Sequence, residues 1–166
     1  MENTIIPLFH CNDTNVTSEL LHNKLTISTH PADKEWGGYG MYFWDNNGNA
    51  NFWATKKSGD AVIVKSYITF DSDNDLLDLT DHEVELEMEI ILQKIENKLP
   101  LDAPIGDKID IICEILNIKI VKFFGKYEHM PQNNLINEDT KLTNKVKTIY
   151  CIKEGNDSLL TDCTIV

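Results

Sequence analysis

Arginine is absent from the 166-residue chain, and lysine carries every formal positive charge. The protein therefore lacks the planar, bidentate guanidinium that clamps phosphates and carboxylates. Positive charge is also outnumbered: the formal net charge is -12 at pH 7. A nucleic-acid backbone or an anionic membrane surface needs a cationic face, so this balance argues against both as the main partner. Lys56-Lys57 is the one basic pair. Long apolar runs are missing too, with none near the ~20 residues of a membrane span. Met1–Pro7 has neither the charged start nor the long apolar core of a signal peptide. The four cysteines (Cys11, Cys113, Cys151 and Cys163) show no CxxC spacing, which argues against zinc. The expectation is a cytoplasmic protein with reduced thiols. Repeats, low-complexity stretches and linkers are absent, so residues 1–166 read as one domain.

What is present is organised around Gly37-Gly38-Tyr39-Gly40, followed by the aromatic run Met41–Trp44. Glycine allows tight turns and close approach to the main chain. Met41–Trp44 reads as a buried strand, Asp45–Gly48 as a turn, and Ala50, Trp53 and Ala54 recur at helical spacing. Upstream, Thr4–Cys11 reads as a first strand with Pro7 at an edge or bulge. Thr14–Asn23 reads as a short helix capped by Asn15 or Thr17, and Leu25–Thr29 as an extended piece.

Downstream, Ala61–Phe70 is a β-branched and aromatic strand. Asp71, Asp73 and Asp75 resemble the opening of a calcium loop. The required glycine and glutamate are replaced by Leu76 and His82, so calcium is not expected. Thr80–Glu83 reads as a capping box for a helix reaching Leu99. Its inner face carries Val84, Met88, Ile91, Leu92, Ile95 and Leu99, and its acidic side is a solvated face rather than a metal site. A second helix covers about Gly106–Leu116, with Ile109, Ile112, Cys113 and Leu116 inward. Strands follow at Ile118–Phe124 and Lys145–Ile152, separated by a polar, asparagine-rich stretch at 125–144 that reads as a long surface loop. Strands towards both ends with helices between them predict an α+β fold on a mostly antiparallel sheet.

A strand ending in Phe9-His10, then Gly38-Tyr39-Gly40-Met41-Tyr42-Phe43 and a helix with Ala50-x-x-Trp53-Ala54, resembles the ADP-ribosyltransferase superfamily. The similarity is to the branch of diphtheria-like toxins and poly(ADP-ribose) polymerases, and to its small bacterial and phage members. The resemblance implies a split, mostly antiparallel sheet with flanking helices and NAD as substrate. It implies that His10 hydrogen-bonds the nicotinamide ribose, and that Tyr42, or less typically Tyr39, stacks on the nicotinamide ring. Gly38 and Gly40 would let the backbone approach the carboxamide. Two departures stand out. The family's glycine after the histidine is Cys11, whose side chain would narrow the nicotinamide pocket. The family's late glutamate aligns with Gln132, Asn133 or Asn134, and the nearest carboxylates are Glu138 and Asp139. Either Glu138 or Asn134 would complete the site.

The leading expectation is mono-ADP-ribosyl transfer, by cleavage of the nicotinamide–ribose bond, to an acceptor that could be a protein. A degenerate module that binds a nucleotide or a protein without chemistry is the alternative. An NAD-dependent RNA 2′-phosphotransferase is a weaker one, against which the missing arginines count.

Overall fold

The computed structural model describes residues 3–166. Seven strands form one sheet in the order β4-β5-β6-β2-β1-β3-β7. They are β1 (Asn3–Asn12), β2 (Met41–Trp44), β3 (Val62–Asp71), β4 (Leu76–Asp78), β5 (Ile120–Lys126), β6 (Val146–Ile152) and β7 (Leu160–Ile165). Every neighbouring pair is antiparallel except β4 and β5. Four helices flank the sheet: α1 (Thr14–Leu21), α2 (Asn47–Ala54), α3 (His82–Lys94) and α4 (Ile105–Leu116). The α+β expectation holds. No helix among the described residues is long and apolar enough to cross a membrane.

The alternation of the strands assigns the faces. Met41 and Phe43 of β2 join Leu8, Val64, Ile68 and Ile152 in a core covered by Leu20 of α1. Tyr42 and Trp44 point the other way, towards a second core built from Val121, Phe123, Ile149 and Cys151 with Ile109, Ile112 and Cys113 of α4 and Met88 of α3. Cys11, Ala50 and Ile63 make a small third cluster under α2.

One feature of the sheet creates the site. β1 pairs with β3 along its whole length, and β2 pairs with β6 along its whole length. Between β1 and β2 the ladder consists of one register pair, Phe9↔Trp44. The sheet is thus split into β4-β5-β6-β2 and β1-β3-β7, and a cleft opens where the halves part.

Several local expectations need correction. Asp13, not Asn15 or Thr17, caps α1, accepting from the amides of Asn15 and Val16 at 3.0 and 3.2 Å. Asp81, not Thr80, caps α3; the Thr80 hydroxyl is taken by Asp78. α3 ends at Lys94 rather than Leu99, and Leu116 of α4 faces outward. Of the two expectations for Pro7, the edge holds and the bulge does not: it sits in regular register with Tyr67, and on its other flank β1 has no β2 residue. β4 and β7 escaped the sequence reading because each is short and mixes polar with apolar residues. The acidic turn after β3 spends its carboxylates internally. Asp71 accepts from Asn74 Nδ2 and the Asp73 amide, and Asp75 pairs with Lys119 at 2.8 Å. Among the described residues no three His, Cys, Asp or Glu side chains converge on a metal position.

Candidate functional site

The split between β1 and β2 is bridged by a side chain. Past Phe9↔Trp44, His10 Nδ1 lies 2.6 Å from the Tyr42 carbonyl oxygen. A carbonyl can only accept, so Nδ1 carries the proton and Nε2 keeps its lone pair. Nε2 has one neighbour, Asn12 Nδ2, at 3.4 Å. The ring is buried beside Phe43, at 5.5 Å between centroids, and burial lowers its pKa to about 4 despite the opposing carbonyl bond. His10 is therefore neutral at ordinary pH and presents an acceptor to the cleft.

The cleft has a volume of about 440 Å³. His10, Cys11 and Asn12 form its β1 wall, Gly40–Trp44 its β2 wall, and Ile149 is the contribution of β6. Aromatic rings line much of the rest. Trp36 lies 5.4 Å from Tyr127, Tyr127 lies 5.8 Å from Trp44, and Trp44 lies 6.0 Å from Trp53. Two elements set this row. Trp44 follows Tyr42 by two residues on one face of β2, and α2, capped by Asn46, carries Trp53 back over that face. The rings give a flat ligand apolar faces on which to stack. Among the described residues, Lys57 is the one cation of the lining and Asp33 the one carboxylate. Lys57 Nζ donates to Asn12 Oδ1 at 2.8 Å.

Tyr42 is half-buried, its hydroxyl donating to the Gly38 carbonyl and its ring edge-on to Phe123 at 6.3 Å. Burial is the main cause of the upward shift of its phenol pKa, so the group stays protonated. The hydroxyl is spent on holding the glycine segment, which leaves the ring as the part of Tyr42 available to a ligand.

The glycines serve packing. A Cβ on Gly40 would stand 2.3 Å from Cys151 Sγ and 2.8 Å from the Ile152 carbonyl oxygen. Gly38 has φ +78°, and a Cβ there would meet Asp110 Oδ1 at 2.3 Å. Gly40 lines the cleft and Gly38 does not. Both the amide and the carbonyl of Gly40 are bonded to Ser28. The segment is pinned from behind by Lys153. Its Nζ donates to the carbonyls of Gly37 and Tyr39 at 2.6 and 3.0 Å and pairs with Asp110 at 2.8 Å.

Of the residues expected from sequence, His10, Cys11, Gly40 and Tyr42 come together at this cleft. Cys11 is buried against Ala50 and Ile63, and its pKa is raised, chiefly by that burial. Glu138 and Asn134 are exposed in the 127–145 segment and stand apart from the cleft; Glu138 lines a separate small depression with Gln132, Thr140 and Lys145. The sequence reading missed Asn12, Asp33, Trp36, Trp44, Lys57 and Tyr127 as site residues. Trp44 was legible by alternation from Tyr42, whereas no local signal marks Asp33 or Tyr127. No protein-family model, curated protein or solved structure matches the chain.

Proposed function

We propose that the cleft binds NAD by its nicotinamide riboside end, and that the protein transfers single ADP-ribose units in the manner of the mono-ADP-ribosyltransferases. The observation that carries this reading is the meeting of His10 and Tyr42, from two different strands, at one aromatic-lined cleft. The Nε2 lone pair of His10 suits a ribose hydroxyl. The rings of Tyr42, Trp44 and Trp53 suit a flat, cationic nicotinamide. Lys57 supplies one positive charge for the pyrophosphate. The acceptor is open, and a protein side chain fits the acidic surface if the partner is basic.

The test is calorimetric titration with NAD together with chromatography of free nicotinamide. Wild type is expected to bind and to release nicotinamide. Tyr42→Ala and His10→Ala are each expected to weaken binding by about tenfold or more, the loss of one good contact of ~1.4 kcal/mol. Wild-type binding and release that persist unchanged in both variants would place the chemistry elsewhere.

A second reading has its own support. β6 offers the cleft Ile149, an apolar residue, and Glu138 lies at a separate depression. A module that binds NAD without cleaving it would show saturable binding and no nicotinamide at any pH or acceptor concentration.

A further inference from the structure

Breaking the bond between ribose C1′ and the nicotinamide nitrogen leaves positive charge on the sugar, and a fixed negative group nearby lowers that barrier. Among the residues lining the cleft one carboxylate is available. Asp33 sits on the 3₁₀ turn Pro31–Glu35, just ahead of the glycine segment. Its main chain is locked: its amide donates to His30, and its carbonyl accepts from Trp36 and Gly38 at 3.0 and 3.1 Å. The turn leans on Gly106 of α4, where a Cβ would stand 2.7 Å from the Asp33 carbonyl oxygen. Its side chain is half-oriented as well. Oδ2 accepts from Ser28 Oγ at 2.7 Å, while Oδ1 has no partner among the described residues. The backbone of Ser28 is in turn bonded to Gly40, two residues before Tyr42. A rigid path therefore runs from the strand that holds Tyr42 to a carboxylate of the cleft lining whose second oxygen has no partner among the described residues. The field of Asp33 is also felt at the Tyr42 phenol, where it is one of the lesser causes of the upward shift.

We infer that Asp33 is a catalytic carboxylate of this site, supplying from the glycine-segment side the negative charge that β6 does not provide. The inference rests on the NAD reading above. The C1′–N bond breaks with both electrons leaving on nicotinamide, which departs neutral. Asp33 stabilises the oxocarbenium character at C1′. The oxygen of water or of an acceptor hydroxyl bonds to C1′, and its proton passes to Asp33 Oδ1. The turn, not the 127–145 loop, carries the chemistry.

The experiment measures nicotinamide release and NAD affinity for wild type and Asp33→Asn, whose side-chain oxygen still accepts from Ser28. The expected result is a fall in kcat of about 10²-fold with the dissociation constant for NAD unchanged within about threefold, a difference under ~0.7 kcal/mol. Should the Asn variant melt early, Asp33→Ser, which also removes the charge, reads the same effect and is expected to lower kcat with KM held. A variant as active as wild type overturns the role of Asp33 and leaves the NAD reading standing. A wild-type protein that binds NAD but never releases nicotinamide overturns the role of Asp33 and the transfer, and leaves NAD binding standing. A wild type that does not bind NAD overturns both.

Discussion

His10 satisfies the backbone of a splayed sheet with one nitrogen and offers the other to the cleft. Where β1 and β2 separate, the Tyr42 carbonyl has lost its ladder partner, and an unpaired buried carbonyl costs about 1–3 kcal/mol. The imidazole supplies the donor. The same burial depresses its pKa from 6.5 to about 4. The unfolded chain therefore takes up the proton first as pH falls. The contribution of His10 to stability is complete above about 6.5 and is lost as pH drops towards 4, in total roughly 3 kcal/mol at 1.36 kcal/mol per pKa unit. Urea denaturation between pH 7 and 4 is expected to show this loss in wild type and a flatter profile in His10→Gln. The amide of that variant can still donate to Tyr42 without titrating. Equal slopes in the two proteins would show that His10 titrates normally.

At the scale of elements, the glycine segment is the piece on which the site depends, and it is held from outside the cleft. Lys153 lies just beyond β6, is buried, and joins Gly37, Tyr39 and Asp110. Lys153→Met removes three hydrogen bonds and leaves Asp110 uncompensated beside the Tyr39 amide. The expected loss is about 2–4 kcal/mol, the range for breaking a largely buried pair, softened by the part-exposure of Asp110. Chemical denaturation measures it. A change below ~0.5 kcal/mol would mean that the segment holds its shape without the lysine.

This arrangement also marks the limit of what sequence could disclose. The strand Met41–Trp44 and the helix after it follow from local pattern, whereas the partnership of His10 with Tyr42 is what the family resemblance implied. Lys153 and Asp110 are 43 residues apart, and neither carries a local signal. The same holds for Asp33, which reaches the cleft because a turn packs on α4. The family resemblance instead pointed to the carboxylate of Glu138, which lines a separate depression.

For the whole molecule, composition excluded more than it identified. The absence of arginine and the charge of -12 turn attention from nucleic acid to a site with one lysine and a wall of aromatic rings. The mostly antiparallel sheet was legible because β1, β2, β3, β5 and β6 are rich in β-branched and aromatic residues. Its two outer strands were not, since β4 and β7 are stabilised mainly by the strands beside them. The fold class therefore came through, while the strand order, and with it the cleft, depended on pairings between distant segments.

The split sheet has a consequence for how the chain folds. β1, β3 and β7 form one half and β2, β4, β5 and β6 the other, so the chain crosses between halves four times from end to end. Neither half is a contiguous stretch: β2 must find β6 about a hundred residues later, and β3 must find β7 at a similar separation. Loop-closure entropy must be met before either half gains its pairing energy. Refolding is expected on the millisecond-to-second scale of proteins dominated by non-local strand pairs, and a stopped-flow trace completed in microseconds would contradict it. Cutting the chain at any point between β2 and β6 should leave no fragment holding a complete half, so the two walls of the cleft are made together or not at all.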